Sequence, residues 1–371
     1  MFSASTVHLE HITTALGCLT PFGKDDVVVY IDADGLSFVK DSNGVIRISL
    51  LLAKELFVSY SYESRASEVQ NDYMKLCVKI NHILDSVSVV NKNLDDIVEC
   101  ILSYEGDGSP FVLTFDDSMI SERVEYSTFM VRDMDASGLE LDREHIIFEC
   151  ILKGDVMYAA LRDFKEIGCK DVYLYANATR NGENTLAFIS RSQLGLSKIK
   201  FPSNRTVIEK LEIYENDSQT RCFGVPVIGY FNFSSFDKIR MSTKIASKIL
   251  LRMDVHGILS VNILSHTDSV VAPESNGSTK PSTTLASKSS SMMQLPKDYP
   301  GIVIDVCMVE KEALDDLAQE ELISFMNDNP TNSQQVRNNE ILQDIDKESS
   351  QLPPHKSDTS APLEDDIPIF F

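Results

Sequence analysis

Tryptophan is absent from the 371 residues, and histidine occurs only seven times. The seven cysteines, at 18, 77, 100, 150, 169, 222 and 307, never form a C-x-x-C pair. That spacing excludes zinc ribbons and thioredoxin-like redox motifs. Most of the cysteines sit in apolar runs such as Leu76-Cys77-Val78 and read as small buried hydrophobes. The N-terminus lacks a charged stretch followed by a long apolar one, so no secretory signal is read. No apolar run approaches the length of a bilayer span. These absences point to a reducing compartment, the cytosol or nucleus. Cations are also scarce: 34 Lys and Arg stand against 56 Asp and Glu, for a net charge of −22. Such a chain is no general nucleic-acid binder. Any DNA contact has to come from a local basic patch, with the acids placed elsewhere.

The chain does contain a globular core, with 43% hydrophobic residues. Apolar spacing predicts a helix near Val7–Leu19, with Ile12, Ala15, Leu16 and Leu19 on one face. Strands are expected at Val27–Ile31, Leu36–Lys40, Val45–Leu52, Leu56–Tyr62 and Leu76–Ile80. A helix follows at Asn81–Val90, then strands at Ile97–Tyr104, Phe111–Phe115 and Ser121–Val131. The pattern then recurs. Thr14-Ala15-Leu16 with Asp25–Tyr30 matches Ala159-Ala160-Leu161 with Lys170–Tyr175, which carries Leu16 onto Leu161 and Leu19 onto Phe164. Leu76–Val87 resembles Ile228–Ile239, with Leu84 on Phe236. A tandem duplication of a helix-and-strands unit is the main organisational signal.

The expected layout is an N-terminal domain over residues 2–131, a connector over 132–142 and a C-terminal domain over 143–309. Residues 265–295 interrupt the last of these. Thirteen of those 31 residues are Ser or Thr, which reads as a disordered insertion. An acidic helix is expected within 310–327, with Leu314, Leu317 and Leu322 on one side. Residues 328–371 read as a disordered tail with an apolar end.

Catalytic patterns are weak. Gly17–Asp25 departs from a phosphate loop, because five residues separate the glycines and Asp25 follows Lys24 where a magnesium-binding hydroxyl is needed. His8 and His11 share a helix face without a visible third ligand, so a plain polar face is the better reading. Asp32-Ala33-Asp34-Gly35 offers two carboxylates of the kind a two-metal nuclease uses. Gly35 between two strands favours a turn. No Ser–His–Asp or Cys–His arrangement emerges from the spacing.

The basic residues carry more. On a helix over Gly154–Ile167, Val156, Ala160, Phe164 and Ile167 mark the expected buried face, and Arg162 and Lys165 lie on the other side. Residues 236–252 hold Lys238, Arg240, Lys244, Lys248 and Arg252 against the single acid Asp237. Read as a helix, this stretch turns Phe236 and Ile239 inward and Lys238 to solvent.

Local strings add a family resemblance. Ala160–Gly168 (ALRDFKEIG), the acidic Asp133–Leu141, Ser192–Gly195 leading into Lys198–Phe201, and Tyr230–Phe233 resemble the PCNA-type sliding clamps. FSASTVHLEHITTAL, KINHILDSVSVVN, ISERVEYST, LPKDYPGIVI and the terminal DIPIFF are similar to the fungal subunit of the heterotrimeric DNA-damage checkpoint clamp, the nine-one-one type.

The resemblance implies an α+β clamp fold, with two similar domains, helices inside and antiparallel sheets outside. It implies a nuclear ring subunit with two paralogous partners, loaded by an ATP-dependent clamp loader at single-strand/double-strand DNA junctions. It implies contact with checkpoint signalling factors, and no cofactor, metal or catalysis. Arg162, Lys165, Lys238, Lys244 and Lys248 are then the expected DNA-facing cations. Val124, Tyr126, Lys198, Ile199 and Lys200 are the expected subunit-interface residues. Ile367, Phe370 and Phe371 have the spacing of a partner-binding peptide. The rival readings are a 3′–5′ DNA exonuclease using Asp32 and Asp34, and a homotrimeric processivity clamp.

Overall fold

A computed structural model describes residues 1–23, 26–63, 73–90, 98–117, 119–129, 139–192, 195–215, 219–265 and 295–327. The first half runs β1 (Phe2–Thr6), α1 (Leu9–Gly17), β2 (Asp26–Ile31), β3 (Gly35–Ser42), β4 (Ile46–Ala53), β5 (Ser59–Tyr62), β6 (Met74–Lys79), α2 (Ile80–Val90), β7 (Glu99–Tyr104), β8 (Phe111–Asp116) and β9 (Ser121–Tyr126). The second half repeats that order. It runs β10 (Ile146–Lys153), α3 (Gly154–Ile167), β11 (Asp171–Asn177), β12 (Thr185–Ser192), β13 (Gly195–Lys200), β14 (Ile208–Ile213), β15 (Val227–Asn232), α4 (Phe233–Lys244), β16 (Ala246–Asp254), β17 (Ile258–Ser265) and β18 (Val303–Val309). Residues Met1–Leu314 form one compact unit. A second unit begins at Asp315 and contains α5 (Asp316–Asn327), whose first turn is capped by the Asp315 carboxylate on the Ala318 N–H.

The strands make three antiparallel sheets, ordered β5-β1-β7-β8-β9, β14-β10-β16-β17-β18-β4-β3-β2-β6 and β13-β12-β11-β15. The nine-stranded sheet is two sheets fused. Its β18 pairs with β4 from Val303 opposite Leu51 to Met308 opposite Ile46. At this join the last strand of the second half closes onto the first half.

Alternation decides which sheet face is buried. In β16, Ile249, Leu251 and Met253 are at most 2% exposed, while Lys248, Leu250 and Arg252 alternate with them on the other face. The helices lie over the buried faces: α1 packs with α2, and α3 packs with α4 and against β10 and β16. Gly154 opens α3 so close to β16 that a Cβ would sit 2.3 Å from the Ala246 carbonyl oxygen, which leaves no room for a side chain. A cluster of phenylalanines fills the second half. Phe164 lies 6.2 Å from Phe233, and Phe188 lies 5.2 Å edge-on to Phe201. Each fully buried ring contributes roughly 1.5–3 kcal/mol of transfer free energy.

Several elements differ from expectation. β1 is additional to the expected strands; its Phe2 and Ala4 are buried between β5 and β7. The buried face of α3 is Met157, Ala160, Leu161 and Phe164, whereas Ile167 is 54% exposed and Val156 half-buried. Ile80 and Phe233 open α2 and α4, so Ile83 and not Leu84 matches the buried Phe236. In α5, Leu317 is 77% exposed and Leu314 precedes the helix. The expected strand over Ser121–Val131 ends at Tyr126, and Phe129 forms a separate bridge to Cys77. The connector up to Gly138, the insertion over 266–294 and the tail from 328 lie outside the described residues.

Candidate functional site

The helix layer of the second half interleaves cations with acids, among them Asp163 and Glu166 on α3 and Asp237 on α4. On α3, Arg162 is exposed and reaches Asp163 at 3.2 Å and Glu166 at 3.8 Å. Lys165 crosses to α4 and meets Asp237 at 2.9 Å. Arg240, one turn along α4, meets the same carboxylate at 2.8 Å. Partial burial would raise the Asp237 pKa, but the bonds from Arg240 and Lys165 outweigh it and hold the carboxyl below its usual range. Lys244 ends α4 and is exposed. Arg162 and Lys165 are about half exposed, and ion pairs at such exposure contribute little to stability.

Two of the expected cations sit elsewhere. Lys238 does not point to solvent: its ammonium donates to the Ser42 hydroxyl at 3.1 Å and lies 5.7 Å over the Phe22 ring. Burial lowers its pKa, and the side chain ties α4 to the first half. Lys248 belongs to a strand, because α4 ends at Lys244 and β16 begins at Ala246. It stands on the face away from the helices and pairs with Glu209 at 2.9 Å. A helix-lined surface can therefore include Arg162, Lys165 and Lys244 but not Lys248.

The first half offers different groups. The His11 ring bonds the Tyr299 hydroxyl at 2.8 Å and packs edge-on against that ring. Burial, then the neighbouring His8, lowers the His11 pKa to about 4. His11 thus spends its ring nitrogen on a phenol rather than on a site shared with His8. Among the described residues no three His, Cys, Asp or Glu side chains gather to hold a metal ion.

The exonuclease candidates form a turn. The Asp32 carboxylate accepts the Asp34 N–H at 2.8 Å and the Gly35 N–H at 3.1 Å. Gly35 has φ 152, and a Cβ there would lie 2.2 Å from the Leu52 carbonyl oxygen. Asp34 meets Lys54 at 3.8 Å. Both carboxylates serve the β2–β3 connection.

The sheets leave two edges with a particular relation. β9 ends the first sheet and β13 ends the third, and among the described residues neither has a partner on its outer side. In the duplicated order β9 corresponds to β18 and β13 to β4, the two strands joined inside the fused sheet. Tyr126 lies at the end of β9, buried opposite Phe111, and Val124 packs partly against the core. On β13, Ile199 faces Phe188 and leans on the core, while Lys198 and Lys200 alternate onto the other face.

Residues 1–265 match the family described as "Repair protein Rad1/Rec1/Rad17". The chain belongs to this Rad1/Rec1/Rad17 family. It is 64% identical over 329 residues to the DNA damage checkpoint control protein RAD17 of Saccharomyces cerevisiae, covering 88% of this chain and 80% of that protein. It is 51% identical over 332 residues to the protein of the same name from Eremothecium gossypii, covering 89% and 82%. Among solved structures it is similar to a PCNA2–PCNA3 complex from Sulfolobus tokodaii, with a TM-score of 0.57 at 13% identity over 83% of this chain and 99% of that one. That likeness establishes the clamp fold of this Rad1/Rec1/Rad17 member. Tyr299, Ser42 and Glu209 shape the surfaces described above without a sequence signal. Each acts on a residue far away in the chain. The tail residues Ile367, Phe370 and Phe371 lie outside the described residues.

Proposed function

We propose that this chain is one subunit of a heterotrimeric ring clamp that encircles DNA at sites of damage and serves as a platform for checkpoint kinase activation and repair factors. The observation that carries this reading is the pair of open edges, β9 and β13, whose duplicates are already joined as β18 and β4. Exposed edges invite another strand, and the same antiparallel join made outward at both ends links subunits into a ring. Two relatives named as DNA damage checkpoint control proteins support the biological setting. Arg162, Lys165 and Lys244 supply sequence-independent attraction to phosphates. The clamp acts in the nucleus with two paralogous subunits, an ATP-dependent loader and junction DNA. It binds without catalysing. Ile367, Phe370 and Phe371 serve as a docking segment for the loader or a checkpoint factor. Affinity purification of the tagged chain from damaged cells, followed by mass spectrometry, tests the reading. The expected result is two further clamp-type proteins in equal amount and an ATPase complex. Recovery of the chain without clamp-type partners would overturn it.

A further inference from the structure

The fold contains its own template for a subunit join, and the template fixes a register. Phe2 pairs with Tyr104, Tyr104 with Phe111 and Phe111 with Tyr126. In the second half Phe148 pairs with Met253, Met253 with Leu259 and Leu259 with Met308. Tyr126 therefore stands for Met308, Val124 for Val306 and Glu122 for Ile304. On the other side, Val29 pairs with Phe38 and Phe38 with Leu50, just as Leu174 pairs with Phe188 and Phe188 with Ile199. Ile199 therefore stands for Leu50. The internal join sets Ile304 opposite Leu50 and Asp305 opposite Ser49. In the same register, two copies of this chain would set Glu122 opposite Ile199, Arg123 opposite Lys198 and Val124 opposite Ser197.

That join is poor. On the helix-side face it replaces Ile304 against Leu50 with a carboxylate against an isoleucine, and a carboxylate loses water there without gaining a partner. On the outer face it sets two cations directly across, which destabilises a strand pair. Glu125 holds Arg123 at 2.8 Å along the same strand, but in this register it lies opposite Leu196, diagonal to Lys198. We propose that the edges β9 and β13 are built to refuse one another, so that β13 takes a clamp-type strand from a different chain, with an apolar residue opposite Ile199 and a carboxylate opposite Lys198. This rests on the ring reading above and adds to it the chemistry of the neighbour. Mismatch against the wrong partner is a common source of specificity.

The test is sedimentation of the purified full chain, without partners, across a micromolar concentration series. The wild-type chain is expected to sediment as a monomer. E122I/R123D writes the residues of the internal join into β9 and is expected to self-associate. K198E removes the cation clash from the other strand and is expected to tighten association roughly fivefold over wild type. E122I/R123D/K198E sets two introduced carboxylates directly across the join and is expected to weaken association again relative to E122I/R123D. Far-UV circular dichroism checks folding. If E122I/R123D does not fold, K198E alone and K198E with R123D carry the comparison. Wild-type self-association that Ile199→Pro abolishes would overturn the proposal, as would folded variants that all stay monomeric. Either result leaves the partner purification to judge the ring reading separately.

Discussion

In the second half, α3 and α4 show Arg162, Lys165 and Lys244 to solvent beside the carboxylates of Asp163, Glu166 and Asp237. In the first half, the places corresponding to Arg162 and Lys165 are Gly17 and Thr20, and α2 carries His82 and Asp85. The buried residues of these helices and of the turn after α1 correspond closely: Leu16 with Leu161, Leu19 with Phe164, Ile80 with Phe233 and Ile83 with Phe236. The duplicated core keeps the fold, because close packing constrains every buried position. The solvent faces have no such constraint and have diverged in charge. The exposed helix cations are concentrated in one half of this chain, so its helix surface is electrostatically uneven.

The comparison breaks first in the core. Phe164 and Leu19 fill corresponding places, both fully buried. Phe164→Ala should cost about 3–5 kcal/mol and Leu19→Ala about 2–5 kcal/mol, measured by urea unfolding. A loss below about 1 kcal/mol for either would show that the two sites are not equivalent core positions.

Acid should separate the halves next. His11 is held neutral with a pKa of about 4, below its unfolded value of 6.5. The unfolded chain then binds the extra proton, so this contribution is present above pH 6.5 and is lost as the pH falls towards 4. Its ceiling is about 3 kcal/mol. The corresponding residue of α3 is Val156, which does not titrate. His11→Asn should flatten the unfolding midpoint over this pH window, and an unchanged slope would assign the acid response to other groups.

Charge reversal tests the surface difference. R162E/K165E/K244E should shorten retention on nicked circular DNA by about tenfold at low salt, with no change in sequence preference. Including Lys238→Glu should cost stability as well, since that side chain bonds Ser42. Lys248→Glu should leave retention unchanged, because Lys248 stands on the opposite face. The smallest effect comes from evening out the ring: H82K/D85K should lengthen retention about two- to threefold. No lengthening would mean that the first-half helices do not face DNA.

Much of the fold is legible in the sequence because its signals are local. Short apolar runs locate β2 and β8, alternation locates β3, and the 3.6-residue period locates α1 and α2. The duplication emerges from matched strings around Leu16 and Leu161. β1 escapes because Phe2-Ser-Ala-Ser-Thr is short and presents one large apolar side chain. The α3 face is misphased because Val156 and Ile167 flank the true stripe of Met157, Leu161 and Phe164. The cation run over 236–252 reads as one surface because no Gly or Pro marks the helix-to-strand change at Ile245. Lys238 is misplaced for a different reason: its partner Ser42 comes from the other half, and no local pattern encodes that contact.

The join between β18 and β4 also governs the birth of the protein. β4 is complete once Ala53 has been synthesised, yet the strand that covers its edge starts at Val303. At roughly 5–20 residues per second, the ribosome leaves that edge bare for on the order of ten to fifty seconds. The strand offered meanwhile, Ile46–Ala53, is rich in leucine and isoleucine and attractive to any passing chain. The nascent first half thus depends on a chaperone or on speed, and a truncation before Val303 would release a sticky half-clamp rather than a smaller working one.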